Sequence, residues 1–299
     1  MALVARLVSL QHPTTKEAHL SAVPWQYAIC NELFTDWPLD RIAAYAGGLG
    51  YGGLELAPYT LAARVSDLSA DDRRAIRGAI EGAGLRVAGL HWLLAHTEGL
   101  ALNDADAEVR ERTVRYLLEE IDLCADLGGD ALVLGSPEQR NPAPGVSHDD
   151  AWAWTAEAMR RCGERAAARG VFFCIEALPG PACRFITNVD EAAHLVRQVD
   201  HPGFQMMVDV RSMATDGRPI DGQIASVAPL VRHVHANDPN MLGPGMGDVA
   251  FGPILAALRR VGYRGWISVE AFDTAYPIER IAQESIVNLR AAEEHKGAQ

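Results

Sequence analysis

Four residues in the second half of the chain have the types and spacing for metal-assisted acid–base chemistry. They are Glu176, Asp209, His235 and Glu270, separated by 33, 26 and 35 positions. Each comes at the end of an apolar run with no other acidic group: FFCIEA, QMMVDV, RHVHAN and WISVEA. Three carboxylates brought into one buried place would repel one another and raise each other's pKa. A divalent cation resolves that conflict. Three oxygen donors and one imidazole suit Mn²⁺, Mg²⁺ or Co²⁺, and Zn²⁺ is also accommodated. Four protein ligands leave places on a six-coordinate ion for two adjacent substrate oxygens. The plainer reading makes each residue an isolated polar cap at a strand end. Four successive strands with the same feature weigh against it.

The four residues meet only if the chain gathers strand ends. A unit recurs along the sequence: an amphipathic helix, a glycine, then a short apolar strand. The junctions read GLGYGGLEL (48–56), GAGLRVAGLH (82–91), DLGGDALVLG (126–135), ARGVFFCIEA (168–177) and VGYRGWISVE (261–270). Glycine fits there because helices often end on a residue at positive φ. Strands are expected at about 27–30, 52–56, 86–91, 130–135, 171–176, 204–209, 231–236 and 265–270. Helices are expected at 39–48, 70–83, 107–127, 149–168, 188–198, 220–228, 250–261 and 278–294. Strict alternation implies βαβ units and a parallel sheet, and eight units fit one α/β domain, a closed (β/α)8 TIM barrel. An open doubly wound sheet is disfavoured because no strand leads into a GxGxxG turn. The barrel domain is expected over 25–299, with 1–24 an N-terminal extension. The loops 136–148 and 237–249, dense in proline and glycine, should cover the strand C-termini, the face where such barrels carry their sites.

Composition excludes several other chemistries. The 299 residues are 48% hydrophobic and 22% charged, ordinary for a folded globular chain. The net charge of −12 repels phosphate backbones, so no nucleic-acid partner is expected. Lys16 and Lys296, one near each end, are the only lysines. That leaves no candidate for a Schiff-base or pyridoxal enzyme, which needs a lysine in its site. The five cysteines form no CxxC and read as free buried thiols. Arg6 interrupts the apolar start, and no apolar run approaches 18 residues, so neither a signal peptide nor a membrane span is expected, and the cytoplasm is the default compartment.

The motifs CIEAL (174–178), MMVDV (206–210), HVHAND (233–238) and SVEAF (268–272) resemble those of the xylose-isomerase-like TIM-barrel superfamily of sugar isomerases and epimerases. AICNELF (28–34), GLELAP (53–58) and LGSPEQR (134–140) are similar too, so the resemblance covers about 25–294. Its ketose 3-epimerase branch has the most similar Glu–Asp–His–Glu arrangement. The resemblance implies one metal ion, usually Mn²⁺, held by Glu176, Asp209, His235 and Glu270. It further implies that Glu176 and Glu270 move a proton on opposite faces of a sugar carbon. That chemistry is coherent: removing a proton beside a carbonyl makes an enediolate, which a metal stabilises, and no organic cofactor is called for. Two positions depart from the branch. Ser212 stands where it carries a histidine, and Met241 where it carries a substrate arginine. Metal binding therefore carries over, but the ketohexose does not.

The expected activity is isomerisation or epimerisation of a sugar or related polyhydroxy carbonyl compound. A lyase or dehydratase acting on a keto-sugar, glycoside or cyclitol fits the same centre. An endonuclease IV-like nuclease is a weaker alternative, because its histidine-rich three-metal site is missing here, and a barrel that binds without turnover is weaker still. The partner is a small carbohydrate-like molecule, with self-association into a homo-oligomer left open. His91, Glu55 and Arg140 are the candidates for binding substrate. Each also has a structural reading: a satisfied core histidine, a buried hydrogen bond and a loop salt bridge. His233 reads as a buried barrel histidine rather than a ligand. The charges of helix 107–127 read as a solvated face with i,i+4 pairing.

Overall fold

A computed structural model describes residues 24–180, 183–273 and 276–294. The extension expected over 1–24 lies outside the described residues except for Pro24. Eight strands form: β1 (Gln26–Cys30), β2 (Gly53–Leu56), β3 (Arg86–Leu90), β4 (Ala131–Leu134), β5 (Phe172–Ile175), β6 (Phe204–Asp209), β7 (Val231–Ala236) and β8 (Trp266–Val269). They pair in parallel in chain order, and β8 closes on β1. The helices are α1 (Leu39–Leu49), α2 (Ala70–Gly82), α3 (Ala107–Leu127), α4 (Pro137–Arg140), α5 (His148–Arg169), α6 (Val189–Val199), α7 (Val210–Thr215), α8 (Ile220–Val227), α9 (Phe251–Arg260) and α10 (Ile278–Glu294). Gly50, Gly128 and Gly170 end α1, α3 and α5 at φ of 89°, 78° and 72°, a conformation that lets the chain turn back into a strand. Among the described residues no helix is long and apolar enough to cross a membrane.

Two elements depart from the sequence reading. The turn α4 lies within the loop expected over 136–148. Helix α7 follows β6 directly because the Asp209 carboxylate accepts the Ser212 N–H at 2.6 Å and caps its first turn.

Strand alternation separates two interiors. Leu54, Leu132, Phe173, Val208, Val234 and Ile267 point outward and join the helices in one large apolar core. Burying each such side chain contributes roughly 1.5–3 kcal/mol. The inward positions form smaller apolar groups, Ala131 with Val133, Cys174 and Met207, and Ala28 with Ala88 and Trp266. Trp266 fills the N-terminal end of the barrel, with its indole N–H donating to Asp130 Oδ2 at 2.7 Å and the Arg86 guanidinium 5.3 Å from its ring. Gly53 makes room for it, because a Cβ there would come within 2.9 Å of both the indole ring and the Arg86 carbonyl.

The charged face of α3 is solvent-exposed as expected at Glu108, Glu111, Arg112, Arg115 and Glu119, but its ion pairs run to neighbouring helices and not along α3 itself. Glu111 pairs with Arg161 of α5, Asp122 with Arg165 and Arg169, and Asp126 with Arg73 of α2 and Arg169. The face is therefore a seam between helices. Glu120 lies fully buried in it, with no hydrogen-bond partner for either carboxylate oxygen. Burial, and then the charge of Glu119, push its pKa well above the ordinary carboxylate value of 4.5. A raised folded-state pKa favours the fold fully below the unfolded-chain value, and that support drains away as pH rises through the folded one. Glu120→Gln is expected to raise stability at pH 8 by about 1–3 kcal/mol and to change little near pH 4. Thermal melts of both proteins across that range check the sign and the slope.

Candidate active site

Strands β5 to β8 each end by turning one polar side chain into the C-terminal mouth of the barrel. Ligand atoms of Glu176, Asp209, His235 and Glu270 all lie within 4.8 Å of one another. All four residues are buried. Only the two glutamates line the cavity above, which has a volume of about 700 Å³.

Each member is fixed by its neighbours. Asp209 accepts the Asn237 amide at 2.6 Å on the oxygen not used to cap α7. The same amide lies 3.4 Å from Glu270 Oε2, and Asn237 Oδ1 accepts the Arg211 backbone N–H at 2.9 Å. Glu270 also faces His91 Nδ1 at 3.3 Å and His235 Nδ1 at 3.2 Å. Glu176 packs over Gly135, where any Cβ would collide with its carboxylate.

The electrostatics show a strained set of charges. Burial, then the charges of Glu270 and Asp209, push Glu176 up to about 8. Burial and Glu270 likewise raise Asp209. Burial works the same way on Glu270, but the charge of His235 and hydrogen bonds from His235 and His91 outweigh it and hold that carboxyl below its ordinary value. The set fits a divalent cation on a second count. His235 Nδ1 is buried beside the Glu270 carboxylate, 3.2 Å away, while Nε2 faces Glu55 Oε1 at 3.2 Å. One ring nitrogen thus faces a member of the four-residue cluster, and the other is held by a carboxylate outside it, as in metal-binding histidines.

The three substrate candidates all sit behind the cavity wall. His91 is fully buried between two carboxylates, with Nε2 at 2.9 Å from Glu32 and Nδ1 toward Glu270. Burial opposes its charge, but Glu32 and the two hydrogen bonds prevail and push it up to about 10. Both ring nitrogens are therefore engaged, and neither is free for a substrate hydroxyl. Glu55 lies beneath His235 and bridges it to His233, whose Nε2 is 2.9 Å away. His233 is the buried barrel histidine the sequence suggests. Arg140 is fully buried and donates to the carbonyls of Leu134, Glu176 and Ile186 and to Cys183 Sγ. It ties the ends of β4 and β5 together instead of reaching a ligand. The sequence reading missed Glu32, Asn237 and Arg211, and missed the cavity lining of Trp92, His96, Gln139 and Phe272. Asn237 was within reach, since it lies in HVHAND two places beyond His235 on the same face of the extended chain.

Comparison with known proteins agrees with this architecture. A family model described as xylose isomerase-like TIM barrel matches residues 43–292. The chain is 31% identical over 121 residues to the D-psicose 3-epimerase of Ruminiclostridium cellulolyticum, a match covering 40% of this chain and 41% of that protein's length. The crystal structure of a D-psicose 3-epimerase with D-tagatose from Clostridium cellulolyticum H10 superposes with a TM-score of 0.79 at 20% identity, covering 89% of this chain and 99% of that one. The apo 3-keto-D-glucoside 4-epimerase from E. coli superposes with a TM-score of 0.78 at 19% identity, covering 90% and 100%.

Two substitutions probe the supports without touching the four residues. If the four residues hold a divalent cation, Glu55→Gln is expected to weaken its binding about 10–100-fold, as loss of a partner behind a metal-binding histidine typically does. Gly135→Ala should displace the Glu176 carboxylate and weaken binding to a similar degree. Calorimetric titration of the purified variants gives both numbers, and unchanged affinity would contradict the positioning roles. With its matched relatives among the sugar epimerases, this chain belongs to the xylose isomerase-like TIM-barrel family.

Proposed function

We propose that the protein is a divalent-metal-dependent isomerase or epimerase of a sugar or related polyhydroxy carbonyl compound. The observation that carries this reading is that, of four clustered ligand residues, only Glu176 and Glu270 reach the cavity. Glu176, Asp209, His235 and Glu270 would hold the ion, with Mn²⁺ the first choice for three oxygens and one imidazole. Such an ion supplies a Lewis acid that spreads the negative charge developing when a proton leaves carbon beside a carbonyl.

The protein's own groups do the rest. Glu270 is kept ionised by His91 and His235, so it is the group ready to accept a proton from carbon. Glu176 stands across the cluster, pushed toward its protonated form, and returns a proton from its side. Delivery to the opposite face of the same carbon inverts it, whereas delivery to the neighbouring carbon interconverts aldose and ketose. The reading is supported by the family membership and by relatives named as sugar epimerases.

The test is hydrogen exchange. Mn²⁺-loaded protein incubated in D₂O with ketoses and keto-sugars should place deuterium on a carbon next to the carbonyl, seen by proton NMR, without loss of mass beyond exchange. Glu176→Gln and Glu270→Gln should each slow this about 10²–10⁴-fold. Wild type should carry about one equivalent of metal by mass spectrometry, and Glu270→Gln much less. A product lighter by one water would instead select a dehydratase. A protein that holds no metal after reconstitution would end the proposal.

A further inference from the structure

The cavity above Glu176 and Glu270 is larger and more apolar than a bare sugar needs. Its volume of about 700 Å³ falls well inside the roughly 300–1,000 Å³ of pockets that enclose drug-sized ligands. One wall is Trp92, Phe272 and Met241. The Trp92 and Phe272 rings stack with centroids 5.4 Å apart and planes 23° apart. All three side chains are only partly buried, so the cavity presents apolar surface directly beside two carboxylates.

The backbone indicates that this wall is built. Trp92, His96, Met241 and Ser136 have φ of 55°, 58°, 70° and 38°, and all four line the cavity. Left-handed backbone is strained for residues with a Cβ, and glycine is the relaxed choice there. Trp92 and Met241 nonetheless occupy such positions and place large apolar side chains on the cavity. Arg211 completes the wall. Its guanidinium lies 5.7 Å from the Phe272 ring and 2.9 Å from the Met241 sulfur, and its Nε is buried without a partner. No carboxylate among the described residues pairs with it, so its donors are available to a ligand oxygen at the edge of the wall.

Resting on the sugar-processing reading of Glu176 and Glu270, we infer that the substrate is a keto-glycoside with an aromatic aglycone, the ring carbonyl supplying the acidified C–H that the proposed proton transfer needs. The sugar ring lies at the two carboxylates, and the flat group lies against Trp92, Phe272 and Met241. Aromatic faces and a thioether favour a ring over an alkyl chain, and Arg211 meets oxygen substituents on that ring.

The probes are phenyl β-D-glucopyranoside and methyl β-D-glucopyranoside, titrated calorimetrically into Mn²⁺-loaded protein. The phenyl glycoside should bind about tenfold tighter or more. Trp92→Gly removes the ring and relaxes the backbone, so it should fold and should narrow the gap to about twofold, chiefly by weakening the phenyl glycoside. Met241→Gly gives a second reading of the same wall. Equal affinities, no binding of either probe, or a gap that survives both substitutions would overturn the inference. Deuterium exchange on free ketoses without a phenyl preference would leave the proposed reaction standing and remove only this subsite. A phenyl preference without exchange would do the reverse.

Discussion

The site rests on one electrostatic constraint: three carboxylates and an imidazole held within 4.8 Å, out of water. Like charges at that distance in a poorly polarisable interior cannot all be carried at once. Glu176 and Asp209 are driven toward their neutral forms, while Glu270 stays ionised only because His91 and His235 face it. The chain answers with a second ring of groups whose task is to hold the first in place. Glu32 charges His91, Glu55 holds His235, Asn237 bridges Asp209 and Glu270, and Arg140 fixes the backbone at Glu176. The proposed cation would turn a repulsive set into a bound one, and this ring would then supply its geometry.

That arrangement depends on the two interiors of the barrel. The apolar core between sheet and helices supplies the stability. The inward positions are therefore released from packing duty near the C-terminal mouth and can carry polar groups. Asp238 extends the same control to the loop after β7, accepting the N–H groups of Gly245 and Val249 and so fixing the segment that carries Met241.

Much of the fold could be read from the residues. Alternation of helix and strand, with glycines such as Gly128 and Gly170 at the junctions, placed all eight strands to within a residue or two. The strand-end residues Glu176, Asp209, His235 and Glu270 were legible because an acid or a histidine is out of place at the end of an apolar run. Depth was not legible. Glu55 and His91 share the direction of the cavity but lie a layer below it, and periodicity gives the face a side chain points to without saying what stands above it. Arg140 looked like a loop residue because α4 leaves no pattern in four residues. Trp92 and Met241 stand at left-handed positions that only a folded neighbourhood can impose, so nothing local announced the apolar wall.

Trp266 gives the barrel a further property. With that indole seated against Ala28 and Ala88, the N-terminal end of the barrel is filled by side chains, and the cavity described lies at the opposite, C-terminal mouth. A ligand of the proposed reaction would meet Trp92, Phe272 and Met241 both on binding and on release. The wall that would give the site its grip thus also sets its tempo, because whatever lengthens a ligand's stay on the way in delays its leaving.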